Sequence, residues 1–232
     1  MNEQLQTAYA GQAGSGVLVE QRNRVLRNTY WLLALSLVPT VLGAWVGVST
    51  GVMAKMGMGV STIIFLVGAF GLMFAIEKFK DSSTGVFLLL GFTFFMGLML
   101  SRLLAAILGF SNGSSLIMTA FGGTAAVFFA MASLATVIKR DLTNMGKFLF
   151  VGAILLLVAG VINIFVQSSA LMITLAVIAI GLFSAFMLYD IKRVIDGGET
   201  NYVTATLAIY LDIYNVFQSL LALLGIFGGE RD

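Results

Sequence analysis

The chain has 232 residues, of which 59% are hydrophobic and 10% charged, with mean hydropathy +1.00 and formal net charge +2. Soluble domains carry about 25% charged residues, so this composition describes an integral membrane protein, and no nucleic-acid partner is expected. The sequence contains no Cys and no His, which excludes disulfides, thiol nucleophiles, imidazole bases and the usual zinc ligand sets and leaves any response to pH to carboxylates.

Residues 1–29 are polar, with Glu20, Arg22, Arg24 and Arg27 where the apolar core of a signal peptide would lie. They read as a cytoplasmic tail, largely disordered to about Glu20 and available to a cytoplasmic partner. Residues 30–232 form the membrane domain. Runs free of charge extend over 30–48, 60–76, 116–138, 148–166 and 170–188, and two more, 85–110 and 203–227, hold one charge each, Arg102 and Asp212. Each is near the ~20 residues that carry an α-helix across ~30 Å of hydrocarbon. Period-two alternation is missing, so the backbone must be satisfied within helices. The sequence predicts an all-α bundle of seven transmembrane helices.

Lys and Arg distribute unevenly between the two ends of these spans. Arg22, Arg24, Arg27, Lys78, Lys80, Lys139, Arg140, Lys147, Lys192 and Arg193 fall on one side, against Lys55, Arg102 and Arg231 on the other. That bias predicts a cytoplasmic N-terminus and an extracytoplasmic C-terminus. Gly43, Gly47 and Gly51 form a ridge for close helix packing, expected within the bundle rather than between copies. Arg102 is expected to snorkel outward, and Asn163 to donate a hydrogen bond between helices.

The candidate site lies in the last two spans. Asp190, in FMLYDIKRV, and Asp212, in YVTATLAIYLDIYNVFQSLL, are acids at depths where an ionised side chain costs about 2.5 to 3.5 kcal/mol on insertion scales. Gly197 and Gly198 offer a helix stop and Thr200 or Asn201 a cap, so the sixth helix runs to about Asp196 and the seventh starts near Tyr202. Staggered by about a turn, the two helices bring the acids together. Asn215 and Ser219 extend a polar stripe from Asp212 that is expected to face inward. Two carboxyls in contact share a proton and titrate as a unit, which makes a proton-controlled latch. Fully ionised, Asp190 and Asp212 are a hard-oxygen pair of the kind Ca²⁺ accepts. Two side chains fall short of the about six to eight oxygens of a tight site, so they suit ion transit. The plainer alternative is a structural pair, or Asp190 bound to Lys192 or Arg193 at the membrane surface.

The stretch GGETNYVTATLAIYLDIYNVFQSLLALLGIF, together with VLRNTYWLLALSL, GGTAAVFFAMAS, KRDLT and GVINIFVQS, resembles the Bax inhibitor motif (Bax inhibitor-1) family, and within it the bacterial YccA-like branch. The resemblance implies a seven-helix fold with the last helix central, in the inner membrane. It also implies a pH-sensitive Ca²⁺ leak, a form of ion transport gated by two aspartates that correspond by position to Asp190 and Asp212. The leak proteins hold the sixth-span acid with an Arg at the end of span two. Here that region reads FAIEKFKD, and Lys78 is the nearest candidate latch partner. The branch further implies binding to, or modulation of, the membrane-anchored ATP-dependent protease FtsH through the N-terminal tail. No cofactor is expected, Ca²⁺ being the cargo.

Enzyme readings fit less well. Intramembrane aspartyl proteases need Gly-x-Gly-Asp on the second acidic helix and a later Pro-Ala-Leu, whereas this chain has Ile209-Tyr210-Leu211-Asp212 and its one proline is Pro39. A retinal pump would need a lysine in the seventh span to form its Schiff base.

Overall fold

A computed structural model describes the backbone of residues 2–230 and the side chains from residue 20 onward. Arg231, used above for the charge bias, lies outside the described residues, as do most side chains of the N-terminal segment for which disorder was expected. The described residues form α1 (Asn2–Thr50), α2 (Val52–Lys55), α3 (Met58–Phe79), α4 (Ser83–Leu108), α5 (Gly113–Val137), α6 (Thr143–Val166), α7 (Ser169–Ile195) and α8 (Tyr202–Gly228). Seven helical stretches are long and apolar enough to cross a membrane, beginning with Glu20–Thr50 of α1. Their outer faces carry large exposed apolar groups such as Trp45, Phe74, Phe87, Phe148 and Phe165. Such a surface is stable only against lipid.

Helix α8 is in the middle, packed against α7, α5, α1 and α4. Val203, Ile209, Val216 and Leu221 on it are completely or almost completely buried. The polar groups it carries inward are tied to its neighbours. Thr206 Oγ1 donates to Tyr202 O at 2.6 Å and lies 3.3 Å from Thr29 O. Tyr210 OH lies 2.9 Å from Thr40 Oγ1, and Tyr214 OH donates to Met96 O at 3.3 Å. These bonds fix the register of α8 against α1 and α4 in a medium with no water to compete.

Both ends of α8 are pinned by an asparagine. At the basic end Asn201 Oδ1 accepts from the Val203 and Thr204 amides, while its Nδ2 donates to Lys80 O and to Asp81 Oδ1 at 2.9 Å. One side chain thus caps α8 and ties it to the α3–α4 turn. At the opposite end Asn112 Nδ2 donates to Gly228 O at 2.6 Å. Asn163 plays a different part from the interhelical donor expected of it: its Oδ1 accepts from Ser168 N at 3.1 Å, shaping the turn from α6 to α7, where Gln167 adopts φ 54°. Arg102 is half-buried and points its guanidinium at Met56 O, 3.5 Å away.

Gly43 and Gly47 serve packing inside the bundle. A Cβ on Gly43 would come within 2.1 Å of Phe94 O, and one on the facing Gly97 within 2.0 Å of Thr40 O. Helices α1 and α4 are therefore in backbone contact, as small residues allow between membrane helices. Gly51 is separate: with φ 63° it ends α1 and starts α2.

Two predictions follow from these contacts. Gly97→Val should destabilise the protein by about 3 kcal/mol or more because backbone must move, whereas Gly71→Ala, whose surroundings are open, should change the unfolding midpoint in detergent little. Asn201→Ala should cost about 1 to 2 kcal/mol. Asn201→Ser, which keeps a capping oxygen and loses the amide donor to the α3–α4 turn, should recover part of that loss in the same assay.

Candidate functional site

The α7–α8 hairpin is built by its turn. Gly197, at φ 81°, lets the chain leave α7, and the Gly198 and Glu199 amides donate back to Arg193 O. Asn201 then restarts the chain as α8. This short connection holds the two helices side by side. With about 1.5 Å of rise per residue, Asp190 sits roughly 8 Å before the end of α7 and Asp212 roughly 15 Å into α8.

The two acids meet. Their carboxyl groups lie within hydrogen-bonding reach of each other. Asp212 is 4% exposed, and its Oδ2 is buried without a donor. Asp190 is half-buried and lies on the side of the pair nearer the basic end. Two carboxylate oxygens cannot donate to one another, so a bond between these groups requires a proton held between them.

The charges that face Asp190 are those of Arg193 and Glu199. These two pair with each other, Arg193 Nη2 to Glu199 Oε2 at 3.1 Å, while Lys192 pairs with Asp196 at 2.6 Å. Neither cation forms an ion pair with Asp190, so the surface-pair alternative is not the arrangement seen. Lys78 is exposed with its ammonium over the Phe79 ring, 5.7 Å from the centroid. The cation acting on Asp190 thus comes from the following turn of its own helix, Arg193. Its proximity to the acid was legible as i, i+3 spacing; its engagement by Glu199 across the Gly197-Gly198 turn was not.

The stripe below Asp212 is only partly inward. Asn215 and Ser219 are half-buried, and Asn215 Nδ2 donates to Leu211 O at 2.8 Å within its own helix. The buried polar groups of α8 lie on two faces: Thr206, Tyr210 and Tyr214 share one, at i, i+4 and i+8, while Asp212 faces the other way, toward α7. Threonine in an apolar run is a weak signal, because its hydroxyl bonds the preceding turn of its own helix as easily as a neighbour, and tyrosine is weak because its ring is at home in an apolar core whatever its hydroxyl meets.

The family model described as an inhibitor of apoptosis-promoting Bax1 matches residues 22–229. A membrane protein of Vibrio cholerae is 38% identical over 210 residues, 89% of this chain and 91% of the relative. A protein of Pseudomonas aeruginosa is 36% identical over 219 residues, 93% of this chain and 96% of the relative. A protein of Escherichia coli K12 named modulator of FtsH protease YccA is 36% identical over 203 residues, 88% and 90% of the two chains, and its counterpart in another strain is named inner membrane protein YccA. With a match spanning all seven apolar helices and relatives aligned nearly end to end, the chain belongs to the Bax inhibitor-1 family and is akin to its bacterial YccA members.

Proposed function

We propose that the protein is a pH-sensitive cation leak of the inner membrane, with Ca²⁺ as cargo and the Asp190–Asp212 pair as its gate. The observation that carries this reading is the meeting of two acids from adjacent helices inside the bundle, one of them with a buried oxygen lacking a donor. Holding one proton, the pair bridges α7 to α8 and occludes the path between them. When that proton leaves, two like charges face each other in a poorly screened interior. The carboxylates separate, and a divalent cation is the natural counter-charge. Two carboxylates with water and backbone carbonyls make a weak, short-lived site, which suits passage rather than storage. The Arg193–Glu199 pair stands on the solvent side of Asp190 and offsets part of its charge.

The sign of the pH response follows. Flux should rise as pH increases through the titration of the pair, because the bridged form is the protonated one. The test is purified protein in liposomes loaded with a Ca²⁺ dye, scanned from about pH 6 to about pH 8. Wild type should show a steep rise. Asp190→Asn and Asp212→Asn, which keep a hydrogen bond but hold at most one charge, should each flatten the profile to less than about twofold. Equal traces for all three proteins at every pH would remove the acids from any gating role.

A second reading is favoured by the 36% identical Escherichia coli relative, whose name gives it as a modulator of FtsH protease. On that reading the chain engages an FtsH-type protease through the segment ahead of the first span. Deleting residues 2–20 should then abolish the effect on proteolysis while dye flux in liposomes stays unchanged. A truncated protein that still alters proteolysis would contradict it.

A further inference from the structure

Where α1, α4 and α8 come together at the basic end of the bundle, a cavity of about 450 Å³ opens beside the α3–α4 turn. Its walls are polar and rich in unspent donors. Arg24 is exposed and forms no ion pair among the described residues. Asn28, Ser83 and Tyr202, which also line it, make no side-chain hydrogen bond among the described residues. The one carboxylate of the lining, Asp81, takes the Asn201 amide at 2.9 Å. Lys80 adds a second cation, paired with Glu77 outside the lining, so the lining holds two positive groups against one carboxylate. A guanidinium, an amide and two hydroxyls left over in such a lining describe a site for an anion with several acceptor oxygens.

Size and depth narrow the ligand. The cavity is far larger than a halide needs. Trp31, 73% exposed on the first turn beyond Asn28, marks the level where indole rings sit at the membrane boundary. Arg24 lies two turns farther out, roughly 10 Å along the helix, at the level of lipid headgroups. Basic pockets between transmembrane helices at this level suit anionic headgroups, and a guanidinium matches phosphate oxygens in pairs. We propose that this cavity binds the phosphate of an anionic membrane lipid, with Arg24 as the principal contact and Asn28, Ser83 and Tyr202 as further donors. The bound headgroup joins α1 to the start of α8. The inference is independent of the leak reading, since none of these residues touches the acid pair.

The experiment uses the full chain in nanodiscs of phosphatidylcholine titrated with phosphatidylglycerol, read as the rise in thermal unfolding midpoint. Wild type and the double variant Arg22→Gln/Arg27→Gln, which removes two charges outside the cavity, should respond alike. Arg24→Gln/Asn28→Ala should keep the wild-type midpoint in pure phosphatidylcholine and lose at least about tenfold in apparent affinity for phosphatidylglycerol. If that double variant does not fold, Arg24→Gln alone is compared in its place. Equal losses in the cavity and control variants, or none in the cavity variant, would overturn the proposal. So would equal protection by inorganic phosphate in pure phosphatidylcholine, which would assign the cavity to a soluble phosphate.

Discussion

Helix α8 occupies the middle of the bundle with its inward side chains buried, and in such a place each polar group has to find its partner within the protein. Thr206, Tyr210 and Tyr214 do so against α1, α4 and their own helix. Asn201 and Asn112 do so at the two ends. Asp212 is the exception: one of its oxygens is buried with no donor, and its neighbour is another acid. Buried polar groups left without partners are costly, and they concentrate where a protein works rather than where it is merely stable. The rest of the structure is arranged so that this exception can persist, with α8 held in register on several sides.

The helix pairs around this exception are held by different means. Helices α1 and α4 approach through Gly43 and Gly97 until their backbones touch. The α7–α8 hairpin is joined by a glycine turn, capped by one asparagine and braced on its outside by the Arg193–Glu199 pair. Exposed ion pairs contribute little to stability, so the brace orients the turn more than it fastens it.

Much of this was readable in the sequence, because lipid demands long apolar helices and leaves few alternatives. The seven charge-free or nearly charge-free runs correspond to the seven spans. The helices are longer, since α1 includes Arg22 to Arg27 and α7 continues through Asp190, Lys192 and Arg193. Counting uncharged residues finds where hydrocarbon ends, whereas hydrogen bonding carries the helix on through the headgroup layer. The α7–α8 turn was legible from Gly197, Gly198 and Asn201, each of which has a backbone reason to be there. Side-chain partnerships were not. Asn163 became an acceptor in a turn, Asn215 turned back on its own helix, and Arg193 rather than Lys78 came to face Asp190. In each case the partner observed is local, on the same helix or in its adjoining turn, whereas the sequence pattern points across to a neighbouring helix.

The central claim is that Asp190 and Asp212 hold one proton between them inside the bundle. Infrared difference spectroscopy of the carboxyl C=O stretch, on protein in lipid titrated between acid and alkaline pH, tests it most directly. One band from a protonated carboxyl in a dry environment should vanish as pH rises, and Asp190→Asn and Asp212→Asn should each remove or shift that same band. Two bands that titrate independently, each lost in one variant only, or no band at any pH, would contradict it.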